Sequence, residues 1–169
     1  MSLLEVRDLT KRFGGVTAVD SLSFSVGESE TVSIIGPNGA GKTTVFNLIT
    51  GFHQPTRGRV LFEGRDITCQ KPHQIALAGV GRTFQIVKPL RGLTVFENIL
   101  VGAFARTDDR GQAREITEDI LRFTGLTQMR DAIAHSLPLA MRKRLELARS
   151  LATRPRVILL DEEIGRAHV

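Results

Sequence analysis

The run Gly36-Pro37-Asn38-Gly39-Ala40-Gly41-Lys42-Thr43-Thr44 constrains this chain more than any other stretch. Four residues separate Gly36 from Gly41, and Lys and Thr follow at once, which is the phosphate-loop pattern. Glycines at 36, 39 and 41 let the backbone curl so that successive N–H groups point inward at an anion. Lys42 places a compact positive charge against the β- and γ-phosphates of a nucleotide. The Thr43 hydroxyl is an oxygen ligand for Mg²⁺. A helix starting near Gly41 would aim its positive end at the same phosphates.

The context supports the pattern. Residues 31–35 (TVSII) are a β-branched apolar run that reads as a buried strand. Residues 43–50 carry Val45, Leu48 and Ile49 at helical spacing. Strand, loop, helix is the order that the motif requires.

With 169 residues the chain can bury a substantial core. Its net charge of +5 suits an anionic partner, which a nucleotide already supplies. A nucleic acid or an anionic membrane surface would also suit the charge, but apart from Arg142-Lys143-Arg144 the basic residues are scattered, which reads as a solvated surface; no nucleic acid partner is expected. Cys69 is alone, which excludes a disulfide framework and a cysteine-based metal site and fits a reducing cytoplasm. The N-terminus has no apolar core of a signal peptide. No apolar run approaches the ~20 residues of a spanning helix.

Along the chain, residues 3–6 and 22–26 read as short strands around a turn at Lys11-Arg12-Phe13-Gly14-Gly15. Phe13 can stack on a flat ligand such as adenine or cap the edge of a small core; the residues alone leave both open. Residues 59–62 read as a strand and residues 72–78 as a short helix with Pro72 at its start. Residues 80–85 read as a strand ending in Gln85. That side chain can reach a Mg²⁺-bound nucleotide or its attacking water, or serve as an ordinary loop glutamine. Residues 94–105 are an apolar helical stretch, 107–113 a loop, and 114–126 an amphipathic helix with Ile116, Ile120, Leu121 and Phe123 on one side. Residues 136–152 read as a helix with Ser136 just before its start and Pro138 in its first turn.

Residues 157–160 are fully apolar and end in Asp161-Glu162. A buried strand beside the phosphate-loop strand would set Asp161 at its C-terminal edge, where it helps hold Mg²⁺. Glu162 can polarise a water for in-line attack on the γ-phosphate.

These motifs together resemble the ATP-binding subunit of an ABC transporter, over residues 1 to about 162. GPNGAGKTT resembles the Walker A motif, and VILLDE the Walker B motif with its catalytic glutamate. Gln85 falls at the Q-loop position and Phe13 at that of the adenine-stacking aromatic. RTFQ, with PTRGRVLFEGRDIT before it and LTVFENILVG after it, resembles the branched-chain amino-acid importer branch. The resemblance implies an α/β fold: a P-loop NTPase core with a mainly parallel sheet, an N-terminal antiparallel β subdomain and a helical insert at about 88–135. It implies ATP and Mg²⁺ as cofactors, with Phe13 and residues 36–44 on the nucleotide and Thr43, Gln85 and Asp161 on the metal. Glu162 and Gln85 would be catalytic. The implied partners are a second ATP-binding subunit, membrane permease subunits and, indirectly, a periplasmic or extracellular substrate-binding protein. The implied location is the cytoplasmic face of the cell membrane.

Two departures stand out. The family's signature, LSGGQ or LSYGQ, is matched here by Leu137-Pro138-Leu139-Ala140-Met141. Pro138 brings neither hydroxyl nor N–H to the γ-phosphate contact across the subunit pair, and Ala140 is bulkier than glycine. After Asp161-Glu162 the family continues with a D-loop and a switch histidine, whereas this sequence reads EIGRAHV. That is the translation of a common sequencing adapter, so residues 163–169 are read as a non-native tail and His168 is not the switch histidine. The chain as it stands is expected to bind nucleotide weakly and not to turn it over. Two other classes compete: a soluble ABC-type ATPase acting on nucleic acid or ribosomes, and a small-molecule kinase. The first usually carries a coiled coil or tandem domains, and this sequence shows neither. The second needs lid arginines in 88–135, and no such pattern is there.

Overall fold

The computed structural model describes residues 2–83 and 89–161. The chain forms two compact units, Met1–Ala78 and Gly79–Val169.

The first unit is built on a hairpin of β1 (Ser2–Phe13) and β2 (Val16–Gly27), closed by Gly14-Gly15. β3 (Arg57–Phe62) adds antiparallel to β1, and the two-residue β4 (Arg65–Asp66) follows, giving the order β2-β1-β3-β4. Leu4, Val6 and Leu9 of β1 are buried with Val60 and Phe62 of β3. Both hairpin strands are longer than expected, because bulges interrupt their alternation. Asp8 and Ser21 have positive φ, and the register shifts between Val6 and Leu9. The Asp8 N–H donates to Ser23 Oγ at 2.8 Å. A β-carbon on Gly58, at φ +89°, would lie 2.4 Å from the Asp8 carbonyl oxygen, so the bulge needs a bare residue opposite it.

Helix α1 (Lys42–Ile49) buries Val45, Leu48 and Ile49, the three residues that its spacing picks out. Helix α2 (Pro72–Ala78) has the expected bounds. The run 31–35 differs from expectation: it belongs to no strand among the described residues, and Ile35 is 93 % exposed. β-branched propensity describes a fit to a paired, half-buried surface. Without a ladder partner the run stays irregular.

The second unit holds a parallel pair, β5 (Val80–Arg82) and β6 (Val157–Leu159), in register Val80↔Val157, Gly81↔Ile158, Arg82↔Leu159. The partner of the Walker B strand is therefore the strand that leads toward Gln85. The expected neighbour at 31–35 is not a strand. Three helices pack together in the same unit, α3 (Val95–Ala103), α4 (Arg110–Phe123) and α5 (Leu139–Ala152), and α5 also meets β5. Ile99, Leu121, Leu126 and Leu145 are fully enclosed in their common core. Thr94 and Glu97 form a capping box at the start of α3.

Three local expectations are corrected here. Residues 110–113 are helical, because Asp109 caps α4 by accepting the Gln112 N–H at 2.7 Å. Phe123 is 78 % exposed. Ala113, Ile116, Thr117 and Leu121 define the buried face of α4, and a residue two beyond Leu121 points about 200° away from it. At α5 the cap position is Pro138, with no side-chain cap, while Ser136 ends a 3₁₀ turn and donates to the Ile133 carbonyl.

Candidate functional site

The phosphate loop lies in the first unit. Gly39 and Gly41 both stand at φ +84°, and the Ala40 N–H closes a turn onto the Pro37 carbonyl at 3.1 Å. The loop feeds directly into α1, whose first turn has no side-chain cap. Uncapped N–H groups at a helix start, next to left-handed glycines, form a concavity for an anion. The Lys42 ammonium folds back over this loop and donates to the carbonyls of Gly36 at 2.6 Å and Pro37 at 2.8 Å. Two carbonyl dipoles thus hold the cation at the loop. Asn38, Thr43 and Thr44 sit in the same stretch, Thr43 in the first turn of α1.

Phe13 ends β1 and is 44 % exposed. His53 meets its ring in a T-shaped contact at 5.4 Å, and Lys11 Nζ lies 5.0 Å from the ring centre. Lys11 is fixed by donating to the Gln54 carbonyl at 2.7 Å. The ring is partly open to solvent and is not closed into a core.

In the second unit Asp161 follows β6 and is buried. Arg82 Nη2 donates to Asp161 Oδ2 at 2.8 Å, and the two side chains are only 6 % and 9 % exposed. The Asp161 N–H donates to Thr83 Oγ1 at 3.3 Å. Burying a carboxylate demands such compensation. Gln85 and Glu162 lie outside the described residues, as does the tail 163–169.

Sequence reading missed Arg82, Lys11 and His53. A signal for Arg82 was present: a charged residue between Gly81 and Thr83 in a short strand has to find an opposite charge if that strand is buried. Nothing comparable marked His53, whose contact with Phe13 depends on where the loop after α1 falls.

The Thr43 hydroxyl in the first unit and the Asp161 carboxylate in the second are each an oxygen donor of the class that a hard cation such as Mg²⁺ takes. Among the described residues, no group of three or more His, Cys, Asp or Glu side chains could hold a metal ion. No helix of these residues is long and apolar enough to cross a membrane.

Comparison with known proteins bears on both units. The chain is 42 % identical over 177 residues to the high-affinity branched-chain amino acid transport ATP-binding protein BraF of Pseudomonas aeruginosa, covering 95 % of this chain and 69 % of that protein. It is 39 % identical to the corresponding LivG protein of Escherichia coli K12, with the same coverage. Its fold superposes on a nucleotide-free ATP-binding cassette from an ABC transporter with TM-score 0.83 and 36 % identity, over 98 % of this chain and 70 % of that one. An ADP conformation of such a cassette gives TM-score 0.83 at 37 % identity, over 100 % and 71 %. These neighbours bear out the α/β, P-loop NTPase fold. The family model described as ABC transporter matches residues 19–165. The chain therefore belongs to the ABC transporter family, as an ATP-binding cassette.

Proposed function

We propose that this cassette belongs to the ATP-binding and ATP-hydrolysing subunit of an importer for branched-chain or related amino acids, the 169 residues by themselves binding nucleotide weakly without turning it over. The observation that carries the reading is the phosphate loop: left-handed Gly39 and Gly41, an uncapped helix start, and Lys42 held at the loop mouth. The resemblance to importer subunits such as BraF supplies the substrate class.

In this reading residues 36–44 bind the phosphates, and Phe13 stacks on the adenine. Lys42 leaves the Gly36 and Pro37 carbonyls for the phosphates, a shift from dipoles to full charges. Thr43, Asp161 and Gln85 hold Mg²⁺, which supplies charge neutralisation at the phosphates. Glu162 takes a proton from the attacking water, and Gln85 orients that water. Positioning and electrostatics carry most of the catalysis in phosphoryl transfer.

The subunit pairs with a second ATP-binding subunit and docks on permease subunits at the cytoplasmic face of the membrane. The permease in turn receives substrate from a binding protein. Residues 1–162 form the cassette, with the helical insert at about 88–135.

The test is a detergent pull-down with permease subunits of a branched-chain amino-acid importer, combined with ATP binding by calorimetry. Retention on the permease supports the importer. Capture of ribosomes or nucleic acid in place of permease would overturn it.

A further inference from the structure

The Phe13 ring stands at the tip of a hairpin, and the turn beyond it gives no wall: a β-carbon on Gly14 or Gly15 would meet nothing within 4 Å. An aromatic side chain so placed loses rotamer freedom when a ligand stacks on it, and that loss lowers affinity. Support comes from the loop after α1. His53 is half-buried and meets the ring in a T-shaped contact, with 5.4 Å between ring centres and 77° between ring planes. The His53 N–H donates back to the Asn47 carbonyl of α1 at 3.1 Å. The next residues are sewn to β1. Lys11 Nζ donates to the Gln54 carbonyl at 2.7 Å, the Thr56 N–H to the Thr10 carbonyl at 2.8 Å, and the Arg12 N–H to Thr56 Oγ1 at 3.1 Å. The phosphate loop reaches the same end of the hairpin. Gly41 lies against Ala18, which is two residues, about 7 Å, along β2 from Val16. Val16 is the register partner of Phe13. All of these residues lie in the first unit.

From this we propose that His53 is a positioning residue for nucleotide binding, which holds the Phe13 ring in place before the base arrives. The inference rests on the reading of Phe13 as the ring that stacks on adenine. His53 acts through Phe13 and has no contact of its own with the nucleotide. Both ends of α1 then serve one ligand. Its start carries Lys42 and Thr43 for the phosphates, and its end fixes the backbone of His53, which orients the platform for the base. A ring already ordered costs less to stack on, so His53 contributes to the part of the affinity that depends on the base.

The test compares ATP with inorganic triphosphate, which has no base, by calorimetry on the 169-residue chain. His53→Ala should weaken ATP binding about three- to tenfold and leave triphosphate binding unchanged. His53→Phe, which keeps an aromatic ring at the position, should stay near the parent. Combined with Phe13→Ala, His53→Ala should cost nothing further, because the two residues act as one unit. Unchanged ATP affinity in His53→Ala overturns the proposal. So does an equal loss for ATP and triphosphate, which marks a general loss of structure, and so do additive losses in the double variant. A second readout needs no ligand. The sequence has no Trp and no Tyr, so Phe13→Trp places a lone indole at the platform. Its fluorescence anisotropy should fall when His53→Ala is added, and an unchanged value counts against the positioning role. Phe13→Ala by itself separates the two levels of the argument. If it leaves ATP affinity at the parent value, the stacking reading fails and this inference falls with it. If it weakens ATP binding while His53→Ala changes nothing, only the role of His53 fails.

Discussion

Gly41 is pressed against Ala18: a β-carbon built on the glycine would stand 2.2 Å from the Ala18 carbonyl oxygen. The glycine also has φ +84°, so two independent constraints exclude a side chain there. Gly41→Ala should cost about 1–2 kcal/mol for the left-handed backbone alone, and the contact with β2 adds to that. Thermal unfolding should show a lower midpoint and a smaller upward shift on adding ATP. A variant that melts and responds like the parent would show that the loop can relax around a methyl group.

Lys42→Ala should weaken ATP binding about ten- to a hundredfold, the loss of a charge-assisted contact of roughly 1.5–3 kcal/mol. Calorimetry measures this directly. The ammonium already has two carbonyl partners in the structure, at 2.6 and 2.8 Å. Part of the phosphate contact is therefore offset by contacts given up, and the lower half of the range is the better expectation. Unchanged affinity would remove the phosphate loop from the binding site.

The helix α3 start offers a pH-dependent test. Thr94 Oγ1 accepts the Glu97 N–H, and the Glu97 carboxylate accepts the N–H and hydroxyl of Thr94. The Thr94 backbone N–H, then its hydroxyl, hold the Glu97 carboxyl below its ordinary range. A folded value below the unfolded one means that this contribution is fully present above the unfolded value. It is lost as pH falls through the folded one. The destabilisation caused by Glu97→Gln should be constant at neutral pH and shrink as the solution is acidified below the ordinary glutamate range. Thr94→Ala should cost about 1 kcal/mol at neutral pH. Denaturant titrations across pH would show either trend, and a pH-independent Glu97→Gln effect would count against the box.

Much of this fold was legible because periodicity and punctuation agree. Val45, Leu48 and Ile49 marked α1, Pro72 marked α2, and Arg59 to Phe62 lay inside β3. The failures have a common cause, which is that tertiary context overrode a local signal. Asp8 and Ser21 break the alternation of β1 and β2 through bulges that only the neighbouring strand explains. Phe123 is apolar, but the face of α4 is set by Ala113, Ile116 and Leu121, and it sits on the other side. Of the site, the phosphate loop was readable as a motif, whereas Arg82 became visible only when β5 and β6 were paired.

The altered signature gives a fourth expectation. Pro138 holds the cap position of α5 at φ −54° and ψ 152°, without a side-chain cap. Pro138→Ser adds a capping oxygen of about 0.5–2 kcal/mol, offset in part by roughly 0.4–1 kcal/mol of unfolded-chain entropy that proline had removed. Monomer stability should therefore change little. With Ala140→Gly in the same chain, ATP-dependent dimerisation by light scattering should increase, because a hydroxyl and a bare backbone then face the partner's nucleotide. Equal dimerisation before and after would mean that Leu137-Pro138-Leu139-Ala140-Met141 already suffices.

The irregular run at 31–35 has a colloidal consequence. Thr31, Val32, Ser33, Ile34 and Ile35 form an uncharged window rich in β-branched residues, and its backbone lies in no ladder among the described residues. Such a window is a template for pairing with the same window of another molecule. Glu30 on one side and Pro37 on the other limit how far a cross-molecular strand can grow. Self-association should therefore rise with protein concentration while the fold is still intact, and light scattering along a dilution series would show it.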